Sequence, residues 1–143
     1  MGDIFNMKWR VWWSETDAAG IMHFSRYFII CERLEEEFYF HIGMGEKARM
    51  SGRKIWFPRV HAKCDYKKPL LPRTTYEVAL TKIELGESSI TYYYEFRNDT
   101  SETVATCSIV TVSVTGFPPK KISIPMELRE ILKAHGAVDK FCS

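Results

Sequence analysis

Between Ser14 and Phe28 the chain reads SETDAAGIMHFSRYF, and in it a lone carboxylate, Asp17, stands three residues before Gly20 and six before His23. A carboxylate held in a loop can attack an electrophilic carbon or take a proton from water, and a histidine at the mouth of a helix can orient a substrate. Taken alone, an aspartate shortly before a glycine is first a turn former, its side chain accepting backbone hydrogen bonds. His23 is read as readily as a packing histidine. Whether Asp17 is more than a turn residue depends on what the rest of the chain builds around it.

Other side chains able to do chemistry are sparse. Glu32 falls among apolar neighbours on a helical pattern, where it can hold a loop N–H or a water, or meet solvent. Glu35, Glu36 and Glu37 form a run, which reads as a solvated face. His61 has no partner at metal-ligand spacing, and Cys31, Cys64, Cys107 and Cys142 contain no C-x-x-C pair, so no metal is expected. Three of these cysteines lie in apolar periodic segments and read as small buried hydrophobes. Trp9, Trp12, Trp13 and Trp56 with Tyr92, Tyr93, Tyr94 and Phe96 would suit base stacking. The net charge is only +2, however, from 20 basic and 18 acidic residues, which leaves no field to recruit nucleic acid or an anionic membrane. These rings therefore read as core and pocket walls.

The elements that must position Asp17 follow from periodicity. Met7 to Ser14 alternates with a period of two, Met7, Trp9, Val11 and Trp13 on one side, and reads as a strand. From Ser25, a plausible N-cap, Tyr27, Cys31, Leu34, Phe38 and Ile42 recur at helical spacing up to Gly43 as C-cap. The first half of this helix is apolar nearly all round, which predicts burial on more than one side. A polar connector, MGEKARMSGRK, leads to an alternating strand from Arg59 to Lys67 with one buried and one wet or interfacial face.

Three further strand-like runs, TTYEVALTKIEL, SSITYYYEFR and TVATCSIVTVSVT, are joined by short turns and read as an antiparallel meander, the first slipping register near Lys82. Phe117-Pro118-Pro119 and the basic pair Lys120-Lys121 precede a short helix from near Pro125 to Gly136.

At 143 residues, 45% hydrophobic and 27% charged, the chain suits one globular domain spanning 1–143. Its N-terminus lacks the pattern of a signal peptide and no segment nears 18 uninterrupted apolar residues, so a cytoplasmic protein is expected. The order of elements predicts an α+β fold: a five-stranded, mostly antiparallel sheet wrapped round one long central helix, plus a short C-terminal helix. Apolar residues on both faces of Val104 to Val114 predict a homodimer.

This arrangement, together with T-D-x-x-G-I-M-H-x-x-x-Y at Thr16 to Tyr27, resembles the hot-dog-fold acyl-CoA thioesterases, and more narrowly their 4-hydroxybenzoyl-CoA thioesterase-like branch. The resemblance implies that the chain hydrolyses an acyl-CoA to free acid and CoA without a cofactor. It assigns the chemistry to Asp17, with the backbone N–H near Phe24 polarising the thioester carbonyl and Gly20 as the loop glycine. Many relatives of the Tol-Pal-associated type carry a histidine seven residues after the aspartate, where Phe24 stands here; His23 is the sixth. Gly20, Tyr27 and Glu32 are the substrate-binding candidates nearby, and Ser88, Ser89, Lys120 and Lys121 match by position segments that touch the nucleotide in relatives. The implied partners are acyl-CoA and further copies of the chain, as a dimer or a dimer of dimers.

A thioester carbonyl is electrophilic and thiolate leaves readily, so a placed carboxylate and an oxyanion site suffice. A helix N-terminus supplies the latter through free N–H donors and its positive dipole end. Asp17 would act as nucleophile or as general base for water. Two other classes remain open: a hot-dog hydratase or dehydratase, which needs a histidine and an acid poised together, and a non-catalytic acyl-CoA-binding dimer.

Overall fold

The computed structural model describes residues 2–44 and 54–140. The polar connector lies almost wholly outside the described residues, as does Cys142. The chain opens with β1, Phe5–Arg10, whose alternate residues Phe5, Met7 and Trp9 turn partly inward. β1 starts earlier and stops sooner than the alternation predicts. Beyond buried Val11 the chain coils into a short 3-10 turn, Trp13–Glu15, in which the Glu15 carboxylate accepts the Trp12 N–H at 2.9 Å. Trp13, expected to extend the inward face, is consequently 73% exposed.

The central helix α1, Arg26–His41, buries Tyr27, Ile30, Cys31, Leu34, Glu35, Phe38 and Tyr39, the i, i+3, i+4 stripe of a helix packed on one side. It ends in a Schellman motif: Gly43 sits at φ +82°, its N–H reaches Phe40 O at 3.1 Å, and Met44 N–H reaches Tyr39 O at 2.7 Å. The expectation of burial on several sides at its start does not hold, since Ile29 is exposed and Phe28 only half-buried.

After α1 come β2, Ile55–Trp56, β3, Arg59–Tyr66, and the meander β4, Thr75–Leu85, β5, Ser89–Arg97, and β6, Thr103–Val112. Two short strands, β7 at Val114–Thr115 and β8 at Lys120–Lys121, precede α2, Met126–Ala134, and β9, Val138–Asp139. Five long strands form one antiparallel sheet in the order β1-β4-β5-β6-β3, and β9 adds in parallel to β4 along the edge that β1 leaves free. The slip expected near Lys82 is a register shift between Leu80 and Lys82; others fall at Arg59/His61 and Phe96/Arg97. Such irregularities increase the local twist by which the sheet curls over α1. A small second sheet, β2-β7-β8, was not legible as a separate unit.

Inside the curl, Tyr27 stands edge-on to Phe96 with centroids 5.0 Å apart, and the hydroxyls of Tyr39 and Tyr92 meet at 2.6 Å. Glu35, expected to be solvated with its neighbours, is 2% exposed and pairs with Arg59 at the head of β3, Nη2 to Oε1 2.8 Å. β6 carries apolar residues on both faces, as expected: Ala105, Cys107 and Ile109 turn inward, while Val104, Val110 and Val112 alternate with Thr106 and Ser108 on the other side, Val104 being fully buried. The most exposed strand is β3, an edge strand on which every residue but Cys64 is exposed, where one buried face was expected.

Candidate active site

The loop between β1 and α1 is fixed by its own backbone. Thr16 and Met22 form an antiparallel pair, with Asp17 N–H donating to Ile21 O at 2.9 Å and His23 N–H to Glu15 O at 2.8 Å. Met22 points into the core at 3% exposure and its N–H donates to Leu70 O at 2.8 Å. Because side chains alternate along such a ribbon, Asp17 and His23 lie on its opposite, outward face. The turn closes through Gly20, whose φ of +78° favours glycine and whose N–H donates to Asp17 O at 2.9 Å.

The two oxygens of Asp17 differ in what they meet. Oδ1 accepts the Ala19 N–H at 2.8 Å, the turn role, while Oδ2 takes no hydrogen bond from any described residue. The carboxylate is half-buried, held by one oxygen and open at the other.

His23 is a capping residue in this fold. Its Nδ1 accepts the Ser25 N–H at 3.2 Å and meets Ser25 Oγ at 2.8 Å. A backbone N–H can be accepted only by an unprotonated ring nitrogen, which in the neutral ring puts the proton on Nε2. Ser25 is the N-cap by position but makes no side-chain cap bond to the helix; His23 takes that part. The His23 ring stacks on Phe24 with centroids 4.6 Å apart.

Phe24 is 63% exposed. Its carbonyl accepts the Tyr66 hydroxyl at 3.0 Å and the Tyr27 N–H at 3.4 Å, whereas its own N–H donates to no described residue. Phe24 directly precedes the N-cap Ser25, so this unused N–H lies by the positive end of the α1 dipole, where a negative charge is favoured. Burial pushes the Tyr27 hydroxyl up to about 12 and raises that of Tyr66 too, so neither phenol is a base at neutral pH.

Not every predicted residue joins this group. Asp17, Gly20, His23, Phe24 and Tyr27 do. Glu32 lies along α1, where it pairs with Arg59 at 3.3 Å. Ser88, Ser89, Lys120 and Lys121 are brought to one another: Ser113 N–H donates to Ser88 O at 2.8 Å, and Ile122 N–H to Ser113 O at 2.9 Å. This cluster is nonetheless at the other end of the molecule. Arg10 pairs with Thr75 while Leu85 and Ser89 close the far hairpin, and the 11 residues of β4 span about 33 Å. Beside the lysine pair, Trp56, Phe57, Pro58, Val114, Phe117 and Pro119 line an apolar cavity of about 500 Å³, which sequence reasoning missed because its walls come from short strands and proline turns. Among the described residues, no three His, Cys, Asp or Glu side chains cluster to hold a metal, and no helix is long and apolar enough to cross a membrane.

A family model described as the thioesterase-like superfamily matches residues 11–132. The chain belongs to this superfamily. Its reaction class is thioester hydrolysis, and the resemblance carried by Thr16 to Tyr27 is borne out at the level of family and fold. A protein of Aquifex aeolicus is 35% identical over 131 residues, covering 90% of this chain and 98% of its own. A 1,4-dihydroxy-2-naphthoyl-CoA hydrolase of Crocosphaera subtropica is 25% identical over 124 residues, covering 85% and 90%. Among solved structures, an Aquifex aeolicus protein superposes with a TM-score of 0.81 at 32% identity, covering 90% of this chain and 98% of that one. A gentisyl-coenzyme A thioesterase superposes with a TM-score of 0.76 at 25% identity, covering 87% and 99%.

Proposed function

We propose that this thioesterase hydrolyses an aromatic acyl-CoA, with the thioester carbonyl oxygen on the Phe24 N–H and Asp17 opposite it. The observation that carries the reading is the unused N–H of Phe24 at the start of α1, on the same loop as a carboxylate with one oxygen open. As the tetrahedral centre forms, the oxyanion gains the N–H and the helix dipole, which together are worth a few kcal/mol. Asp17 serves as nucleophile or as base for the attacking water, and both routes need it ionised. His23 is a positioning residue: it caps the turn that holds the N–H in place and offers Nε2–H to the substrate side.

The site is completed by a second copy of the chain. β3 is an exposed edge strand bearing Val60 and Tyr66 at 57% and 45% exposure, and such edges pair. A two-fold axis through β3 makes that pairing antiparallel, because the contact is isologous. The Arg59 end of one copy then lies beside the Tyr66 end of the other. Ser88, Ser89, Lys120, Lys121 and the apolar cavity thereby approach the Phe24 and Asp17 of the second copy, suiting CoA phosphates and an aromatic acyl group respectively.

The aromatic assignment is supported by the cavity's Trp and Phe walls and by relatives that act on dihydroxynaphthoyl-CoA and, at 25% identity, gentisyl-CoA. A CoA-thioester substrate, used inside cells, supports a cytoplasmic location. The test is thiol release from benzoyl-, naphthoyl-, acetyl-, hexanoyl- and palmitoyl-CoA. The aromatic substrates should have the highest kcat/KM. A preference for palmitoyl-CoA would overturn the acyl assignment, and acyl-CoA binding without thiol release would favour the non-catalytic alternative.

A further inference from the structure

We infer that Cys64 and Cys107 form an oxidisable pair that closes to a cross-strand disulfide fastening the edge strand β3 to β6. The two residues face each other in the β3/β6 ladder, and their sulfurs are in contact at 2.6 Å. Directly opposed residues of an antiparallel pair have Cα atoms about 4.5–5.5 Å apart, within the span a disulfide bridges. Both side chains point to the face that carries Tyr66 and Tyr94, since Cys107 also opposes Tyr94 on β5 and is 4% exposed. Cys64 is only half-buried, on the outermost strand of the chain's own sheet, whereas Cys107 is buried. A small oxidant therefore reaches Cys64 first.

The chemistry balances with a peroxide as oxidant. The Cys64 thiolate attacks one peroxide oxygen, breaking the O–O bond to give Cys64 sulfenic acid and hydroxide, which takes up the proton the thiol released and becomes water. The Cys107 thiol then attacks the sulfenic sulfur, forming the S–S bond and releasing a second water. Two thiols are oxidised, one peroxide is reduced, and the protein loses two hydrogens. The neighbouring Cys107 sulfur and burial push the Cys64 thiol above its ordinary range, and the Cys31 sulfur and burial push Cys107 up against the lowering effect of Cys64. The pair is thus slower to oxidise than an activated cysteine, and no nucleophilic role in thioester hydrolysis falls to it.

Cys31 is the internal competitor. It lies on α1 with 0% exposure and raises the Cys107 thiol, but it reaches the strand from a helix, whereas Cys64 is held opposite Cys107 by the ladder. The consequence reaches the functional loop, because Tyr66, two residues beyond Cys64, donates to the Phe24 carbonyl.

The experiment is treatment of the full-length wild type with hydrogen peroxide, followed by thiol counting and non-reducing peptide mass spectrometry. The expected result is a fall from four free thiols to two, a single linked pair of peptides carrying Cys64 and Cys107, and full reversal by dithiothreitol. Cys64→Ala, at a half-buried edge position, should fold and keep its remaining three thiols under the same treatment. The inference is overturned if all four thiols survive, if Cys107 links instead to Cys31 or Cys142, or if Cys64 of two chains join as a covalent dimer.

Discussion

Replacing Arg59 by methionine isolates the contact that ties the exposed edge strand to the central helix. The Arg59 guanidinium meets Glu35 at 2.8 Å and Glu32 at 3.3 Å, and Glu35 is 2% exposed while the Arg59 side chain is 32% exposed. Glu32 is mostly solvated, so its share of the interaction is small. Removing the cation strips Glu35 of its counter-charge in a site lined by Tyr92 and Tyr94, whose hydroxyls burial drives well above their ordinary range. Breaking a buried pair from one side costs about 3–5 kcal/mol, and the partial exposure of Arg59 argues for the lower end. At about 3 °C per kcal/mol for a chain of this size, Tm should fall by about 9 °C. The double variant Arg59→Met with Glu35→Leu removes both charges and should recover most of that loss, because an apolar replacement of a buried pair is close to neutral. Differential scanning calorimetry at pH 7 reads all three proteins. A fall of less than about 2 °C in the single variant, or a double variant no more stable than it, would refute the assignment of this pair as a clamp.

Other contacts give further outcomes. Hydrogen bonding to Arg97 holds Asp3 below its ordinary 3.8; stability from a depressed carboxyl is complete above the unfolded value and is lost as pH falls through the folded one. Acid titration of Tm below about pH 4 should therefore be steeper in the wild type than in Arg97→Gln, and equal slopes would remove this group from the account. His23→Ala deletes the acceptor of the Ser25 N–H and should lower stability by about 1 kcal/mol and kcat as well, with His23→Asn restoring the stability but not the full rate; unchanged Tm in His23→Ala would show that the cap is idle. Val60→Glu with Ala62→Glu on β3 should shift the mass in light scattering from two chains to one and lower kcat in parallel. A monomer of full activity would sink the shared site.

How far the site could be read from the chain differs by element. The meander and the central helix were legible because Ile90, Tyr92, Tyr94 and Phe96 alternate strictly, and because the helical stripe ends at a glycine with positive φ. Trp13 and Glu35 were misread for opposite reasons. Alternation carried Trp13 past the point where a side-chain bond from Glu15 coils the chain, and a run of three glutamates hid one that faces inward to meet an arginine. The signal for Glu35 lay in Arg59, at a register position facing the helix opposite buried Thr111, which only the ladder reveals. The loop was legible as the place where Asp17, Gly20 and Phe24 come together. The capping role of His23 was not, since it depends on a ring nitrogen meeting a backbone N–H two residues on. The distance between Asp17 and the Lys120-Lys121 cluster is equally invisible to sequence, because a motif records adjacency along the chain and not which end of a strand each loop occupies.

The most direct test of the central claim is kcat for Asp17→Asn against wild type on the best substrate of the acyl-CoA panel. Asparagine keeps an oxygen for the Ala19 N–H, so the turn and the oligomer should survive while the charge is lost. The account predicts a loss of about a hundredfold or more in kcat, with acyl-CoA still raising Tm as it does for the wild type. An Asp17→Asn protein that folds, binds and turns over at the wild-type rate would contradict it.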